Sequence, residues 1–126
     1  MHESRIRFAL GLVVCGALTA CASTPVPQTQ LTEAKVSTSE AAAIGAHDEP
    51  QAALHLKMAE DAIVEAEKCI ADGDNDPAIL LLQRARADAE LAQSLTHLAQ
   101  REGAAKAAVT RVDALERDLA PEGGKS

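Results

Sequence analysis

The sequence is almost free of aromatic residues. Phe8 is the only one, and tryptophan and tyrosine are absent from the 126 residues. Without aromatic rings beyond position 8, the chain has no stacking surface for bases or sugars. It also lacks the rigid aromatic anchors that commonly dominate binding hot spots. These absences argue against a nucleic-acid site and against a deep ligand pocket.

Cysteine is nearly as scarce, with Cys15, Cys21 and Cys69 as the only three. Cys15 lies in a segment that resembles an export leader and Cys21 closes that segment, so Cys69 has no partner for an internal disulfide. A lone cysteine is most often a small buried hydrophobic residue. Pairing of Cys69 between two chains is the alternative.

The sequence patterns of catalysis are missing as well. It contains no HExxH motif, no Gly-rich phosphate loop and no nucleophile elbow. We therefore predict a protein that is not an enzyme and that has no cofactor.

One acidic segment resembles the start of a calcium-binding loop. Asp72, Asp74 and Asp76 alternate as in an EF-hand, but Pro77 stands where that loop requires glycine. A helix end followed by an Asp-Pro helix start accounts for the same residues. Beyond His2, three histidines are scattered without the spacing of a metal site (His47, His55 and His97). Weak binding of a metal or small ligand by these aspartates or histidines is our alternative function.

The N-terminus has the pattern of a bacterial lipoprotein signal. Arg5 and Arg7 precede an apolar run, residues 8–18, which is shorter than the roughly 20 residues that a membrane-spanning helix needs. Leu18-Thr19-Ala20-Cys21 then resembles a lipobox, in which cleavage follows Ala20 and lipid is attached to Cys21. Cleavage after Ala22, at the small-x-small site Ala20-Cys21-Ala22, is the alternative.

These features divide the chain into four segments. We expect a cleaved signal peptide (1–20), the lipidated Cys21 with a flexible tether (21–28), an Ala-rich helical domain (29–119) and a disordered polar tail (120–126). The lipid on Cys21 would hold the protein in the cell envelope. In lipoproteins of this kind an Asp after the cysteine commonly marks retention in the inner membrane, so Ala22 favours the outer membrane, facing the periplasm. Loss of residues 1–20 leaves a net charge of −8, which disfavours nucleic acid as a partner.

Three helices follow from the turn signals. Gly45 is expected to end a first helix that begins near Thr29, and Gly73 to end a second that begins near Gln51. Asp48 is the predicted N-cap of the second helix, with Pro50 in its first turn. Asp76-Pro77 opens a third helix that runs to Leu119. The expected fold is all-α: an antiparallel helical hairpin or three-helix bundle with a long C-terminal helix.

Apolar residues recur at helical spacing and predict the buried faces. The first helix has only a thin stripe (Leu31, Ala34, Thr38 and Ala41). The second has a seam over almost three heptads (Ala52, Leu56, Ala59, Ile63, Ala66 and Ile70). In the third helix we expect the core-facing stripe to continue along one line (Leu91, Leu95, Leu98, Ala105, Val109, Val112 and Leu119).

The third helix is about twice as long as the second, at about 65 Å against about 32 Å. If it is continuous, its last 20 or so residues project beyond the other helices; a break near Gly103 would instead fold residues 104–119 back as a fourth helix. We favour continuity, because a single glycine costs a helix only about 1 kcal/mol. The projecting part would then form an interaction seam (Leu98, Ala105, Val109, Val112, Leu115 and Leu119). Its expected partner is an envelope protein or a second copy of the chain.

The same helical pattern appears in two stretches, AAAIGAHDEPQAALHLKMAEDAIVEAE and PAILLLQRARADAELAQSLTHLAQ. With the lipobox and the tether, they resemble a family of small bacterial envelope lipoproteins, domain of unknown function 4398, over roughly residues 30–108. The resemblance implies a helical lipoprotein without catalytic residues. Some members carry a peptidoglycan-binding domain of the outer-membrane-protein-A type; we find a polar tail instead, so we expect any role at the cell wall to need a partner.

Overall fold

The computed structural model describes residues 24–119, which form three α-helices. Helix α1 spans Gln28–Ala43, α2 spans Pro50–Asp72 and α3 spans Asn75–Leu119, and a short 3₁₀ helix, Ala46–Asp48, lies between α1 and α2. Residues 24–119 contain no strand. The predicted all-α fold with a long C-terminal helix is confirmed. The expected signal peptide, Cys21 and the tail over 120–126 lie outside the described residues.

Both predicted glycine turns are confirmed. Gly45 has φ 94° and Gly73 has φ 85°, in the left-handed region that glycine adopts without steric cost. At Gly73 the backbone N–H donates to the carbonyl of Ile70, and the next N–H, of Asp74, donates to that of Cys69. These two hydrogen bonds form a Schellman motif, which ends α2 and turns the chain toward α3.

The predicted N-cap of α2 is wrong by one residue. Asp48 belongs to the 3₁₀ helix, where its N–H donates to the carbonyl of Gly45, and Glu49 takes the N-cap position without a side-chain hydrogen bond to the helix. Pro50 is the first residue of α2, as predicted. The 3₁₀ turn places Asp48 too early to cap α2, an effect of local geometry that the spacing of polar residues does not reveal.

The three helices alternate in direction, so that α1 and α3 run parallel and α2 runs antiparallel to both. Arg86 Nη1 lies 3.3 Å from Glu33 Oε2 near the start of α1, and Gln100 Nε2 donates to the carbonyl of Ile44, at 3.0 Å, just beyond its end. Residues later in α3 therefore contact residues later in α1, which shows that the two helices run in the same direction. The bundle ends at the level of Gln100.

Alanine fills most of the core. One cluster lies toward the α2–α3 turn (Ala34, Ala62, Ile63, Ala66, Ala78, Leu82 and Ala85), and a second lies toward the α1–α2 connection (Ala41, Ala46, Ala52, Leu56 and Ala92). Leu56 and Leu82 are the largest fully buried side chains within residues 24–119. The predicted seam of α2 is confirmed, with Ile70 half-buried at its end. Because each alanine buries little apolar area, such a core stabilises the fold only modestly.

The predicted core face of α3 is wrong. The structure buries a different line of residues (Ala78, Leu82, Ala85, Ala89, Ala92 and Thr96), whereas Leu91 and Leu98 are 42% and 53% exposed. Only Leu95 of the predicted stripe packs at the edge of the second cluster. Both lines have helical spacing. The line of small side chains is the one that is buried, because small side chains let α3 approach α1 and α2 closely.

Candidate interaction surface

Helix α3 continues for 19 residues beyond the bundle, over residues 101–119, which we call the overhang. This length corresponds to about 28 Å of helix. Every residue of the overhang is exposed. Gly103 lies within the continuous helix, and a Cβ built there would meet no atom within 4 Å. The predicted continuity of the third helix is confirmed.

The predicted interaction seam lies on the surface of α3. Val109, Val112, Leu115 and Leu119 are 61%, 52%, 54% and 80% exposed, and Ala105 is also exposed. Side chains of this size are normally covered when several of them lie together. The seam is therefore available for contact with another molecule.

The apolar surface extends farther back along α3 than the sequence indicated. Leu80 is 66% exposed, and Leu91 and Leu98 follow it on the same side of the helix. Together with the residues of the overhang they form a line that we call the outer stripe (Leu80, Ala87, Leu91, Leu98, Ala105, Ala108, Val112, Leu115 and Leu119). The spacing of this line is visible in the sequence, but the predicted core-facing stripe includes Leu91 and Leu98.

The outer stripe lies opposite the bundle. Nine residues, or two and a half turns of about 3.6 residues, separate the buried Ala89 from the exposed Leu98, so their side chains point to opposite sides of α3. Helix α3 is thus apolar on two faces. The small-residue face is covered by α1 and α2, and the larger side chains of the outer stripe face solvent.

In the overhang, the side that continues the buried face of α3 carries mainly small residues, with Asp118 near its end. Gly103, Ala107, Thr110 and Ala114 follow the line of the buried Thr96. Both threonine hydroxyls donate to a backbone carbonyl four residues earlier, at 2.8 Å for Thr96 and 3.0 Å for Thr110. Large apolar side chains of the overhang are therefore concentrated on the outer stripe and on Val109 beside it.

The N-terminal end of the described chain docks at the other end of α3. Thr24 Oγ1 donates to Asp76 Oδ1 at 2.6 Å, and Asn75 Nδ2 donates to the carbonyl of Thr24 at 2.6 Å. Pro27 is buried, and its carbonyl accepts a hydrogen bond from Leu31. Thr24 and Pro27 therefore contact the bundle, whereas residues 21–23 of the expected tether lie outside the described residues.

The predicted metal-ligand alternative, Asp72, Asp74 and Asp76, lies at this same turn. Within residues 24–119 no group of three or more histidine, cysteine or acidic side chains is placed to hold a metal ion. Asp76 instead accepts the hydrogen bond from Thr24. The turn therefore joins the N-terminal segment to α3.

The three histidines lie apart, and one of them joins two helices. His47 and His97 are exposed, whereas His55 of α2 is half-buried, with Nδ1 2.9 Å from Asp88 Oδ1 of α3. Arg84 Nε also approaches Asp88, at 3.7 Å. The hydrogen bond between His55 and Asp88 joins α2 to α3 and gives no indication of a reactive site.

The ion pair between Arg86 of α3 and Glu33 of α1 joins these two helices at the surface. Arg86 Nε donates to Glu90 Oε1 at 2.9 Å, and this hydrogen bond, followed by the charges of Glu90 and Glu33, raises the pKa of the Arg86 guanidinium above its ordinary value. These side chains are about half exposed, so the ion pairs add little stability.

Two shallow surface grooves accompany these contacts. One, of about 360 Å³, is bordered by Thr29, Val36 and Arg86, and the other, of about 250 Å³, by Gly45, Thr96 and neighbouring residues. Both are open to solvent. We therefore take the outer stripe as the candidate functional surface.

Comparison with known families identifies the helical domain. A family model described as a domain of unknown function, DUF4398, matches residues 29–108, which is more than half of the chain. The chain belongs to the DUF4398 family. The resemblance expected over roughly residues 30–108 is confirmed. The DUF4398 domain contains nearly all of α1, all of α2 and α3 up to Ala108.

The remaining comparisons add no further relative: neither the curated proteins nor the solved structures gave a match. The outer stripe crosses the boundary of the DUF4398 domain. Leu98 and Ala105 lie inside the matched range, whereas Val112, Leu115 and Leu119 lie beyond it. None of the helices within residues 24–119 has both the length and the apolar character needed to cross a membrane.

Proposed function

We propose that this DUF4398 protein is a non-enzymatic lipoprotein of the cell envelope. It is anchored by lipid on Cys21 to the outer membrane, facing the periplasm, and it acts by binding another protein chain through the outer stripe. Its role is structural, either holding a partner near the membrane or joining copies of itself.

The observation that carries the interaction role is the exposure of the outer stripe. Leu98, Val112 and Leu115 are each more than half exposed on a helix that already buries its opposite face in the bundle. Scattered single apolar residues are normal on a surface, but a contiguous line of them marks an interaction site. A helix that only separated two parts of the envelope would be polar on every side that faces water.

The anchoring role is supported by the lipobox at Leu18-Thr19-Ala20-Cys21 together with the docking of Thr24. Three residue steps separate Cys21 from Thr24, and an extended chain covers at most about 11 Å in that distance. A lipid on Cys21 would therefore hold the α2–α3 turn close to the membrane surface. Helix α3 would then direct the overhang away from it.

The test of anchoring compares two cysteine substitutions in the full chain, expressed in a bacterial host and labelled with a palmitate analogue. We expect Cys21→Ser to abolish the label and to move the protein from the membrane pellet to the soluble fraction. Cys69→Ser is the matched control, since Cys69 is a half-buried free thiol of α2, and it should retain both properties. Continued membrane residence of an unlabelled Cys21→Ser protein would refute the anchor.

A further inference from the structure

We infer that the outer stripe binds a second copy of this chain, in parallel and in register. The two α3 helices would form a two-stranded coiled coil, with each bundle on the outside of the pair. The inference goes beyond the proposed function by naming the partner, and its parallel direction rests in part on the proposed anchor.

The first argument is the heptad pattern of the exposed line. An apolar residue recurs every seven positions, as the a positions of a coiled coil require (Leu91, Leu98, Ala105, Val112 and Leu119). The d positions between them continue the pattern in the second half of the helix, with Ala108 and Leu115. The line is interrupted at Arg84, Ser94 and Arg101. The long arginine side chains can place their charged ends at the edge of such an interface.

The second argument is steric. Because Leu98 and Ala89 point to opposite sides of α3, a partner helix on the outer stripe lies far from α1 and α2. The same holds for both copies in a symmetric pair. The two bundles therefore do not obstruct contact along the whole length of α3.

The third argument is charge complementarity. In a parallel pair each g position faces the e position five residues later on the other helix. Arg111 would then face Glu116 of the second copy. Symmetry forms this contact twice, and the remaining g–e positions bring no like charges together.

An antiparallel pair has worse electrostatics. If the two overhangs overlap completely, the pair is centred on Thr110, which places Glu102 beside Glu116 of the second copy and Arg111 beside its own counterpart. Like charges at these positions oppose pairing. The same arrangement would separate the two docked N-terminal ends by about 100 Å. Two lipid anchors in one membrane therefore favour the parallel pair.

The fourth argument is area. The outer stripe runs from Leu80 to Leu119, about 60 Å, and a strip about 10 Å wide gives roughly 600 Å² per copy, or about 1,200 Å² in total. This lies at the lower end of specific interfaces. A second copy thus offers enough contact for a stable but moderate association, without any other component.

Disulfide crosslinking tests the inference in the full chain with its own leader. The background carries Cys69→Ala, so that the introduced cysteine is the only one downstream of Cys21. Leu98→Cys and Leu115→Cys place thiols on the outer stripe, and Thr110→Cys is the matched control, because Thr110 is also exposed but lies on the opposite side of the overhang. Each protein is oxidised mildly in isolated envelopes, and dimers are counted after non-reducing electrophoresis.

We expect Leu98→Cys and Leu115→Cys each to form dimers with themselves at about tenfold the yield of Thr110→Cys, since disulfides need closely opposed Cβ atoms. The two positions are about 25 Å apart along α3, so self-crosslinking at both requires a parallel pair in register. Co-expression of Leu115→Cys with Ala105→Cys, the position opposite it in an antiparallel pair centred on Thr110, adds a second readout. A crosslink that forms only between these two variants indicates an antiparallel pair and overturns the inference.

Two further outcomes overturn it. Equal yields at all three positions would indicate random collision, and the absence of dimers at all three would show that the outer stripe does not pair with a second copy. Membrane and soluble fractions are analysed separately. Failure of the proposed anchor then appears as unlipidated protein in the soluble fraction, whereas failure of the pairing appears as missing self-crosslinks in whichever fraction holds the protein.

Discussion

Leu82→Ala should reveal how much of the fold rests on its few large core residues. Leu82 is 1% exposed and packs among alanines of the first cluster, including Ala34, Ala62 and Ala85. Alanine methyl groups cannot swing into the space left by the missing leucine atoms, so the cavity should remain largely open. Buried Leu→Ala substitutions cost about 2.7–5.0 kcal/mol, and we expect a loss of about 3–4 kcal/mol here.

That loss is large for this protein. Domains of about 100 residues are stable by about 5–15 kcal/mol, and a core built mainly of alanine belongs at the low end because each residue buries little apolar area. Leu82→Ala should leave the bundle only marginally folded.

Urea unfolding followed by far-ultraviolet circular dichroism measures the effect. The chain from Ala22 onward contains no aromatic residue, which excludes intrinsic fluorescence. With a denaturant slope of about 1.5 kcal/mol per molar urea, the midpoint should fall by about 2 M. Low protein concentration keeps any pairing between copies from adding to the apparent stability.

Leu80→Ala is the matched control, because Leu80 is the same residue type on the same helix but is 66% exposed. We expect its free energy of unfolding to change by less than about 0.5 kcal/mol. If Leu80→Ala destabilised the protein as much as Leu82→Ala, the assignment of the two faces of α3 would be reversed. A loss below about 1 kcal/mol for Leu82→Ala would refute the cavity argument.

Two other perturbations follow from the geometry of α3 and its turns. Gly73→Ala should destabilise the protein by about 1–2 kcal/mol, because its left-handed φ is costly for any residue with a Cβ. Gly103→Ala should instead stabilise the helix by about 0.5–1 kcal/mol. Thermal unfolding of both variants should therefore show a lower melting temperature for the first and a higher one for the second, and equal changes in melting temperature would contradict both predictions. A chain that ends after Ala104 should keep the stability of the bundle within about 0.5 kcal/mol, since every residue from 101 to 119 is exposed. A loss above about 1.5 kcal/mol on urea unfolding would show that the overhang packs on the bundle.

Helix boundaries and the α2 face could be predicted because local residues decide them. Gly45 and Gly73 set two helix ends through the left-handed region, and Pro50 starts α2 because its fixed φ suits a first helical position. The buried seam of α2 contains the large residues Leu56 and Ile63 as well as alanines, although Leu54 and Val64 of the same helix are exposed. Its burial could therefore be inferred without knowledge of its neighbours.

The buried face of α3 could not be predicted in this way. Ala89 and Leu98 represent two lines with the same helical spacing, and hydrophobicity alone favours the leucines. The outcome depends on how closely three helices can approach, which is a property of the assembled bundle. For the candidate surface, the overhang followed from helix length, but its extension back to Leu80 was hidden by the same misassignment.

The docking of Thr24 was also beyond sequence reasoning. Its hydrogen bond to Asp76 joins residues 52 positions apart, and neither residue carries a local signal for the other. A Pro- and Thr-containing segment is typical of a linker. Only tertiary contact converts part of it into an extension of the bundle.

Helix α3 runs without a break from the bundle into the overhang, and this continuity lowers the free-energy cost of forming helix in the overhang. An isolated helix of this length is marginal in water, because forming its first turn fixes several residues for one hydrogen bond. In α3 that nucleus is already held by the bundle at Gln100, so the overhang only has to propagate. Its alanines favour propagation, but no tertiary contact supports the backbone hydrogen bonds toward Leu119. The ordering cost of binding therefore rises along the overhang, and a partner that contacts its tip must supply the free energy that holds the last turns in place.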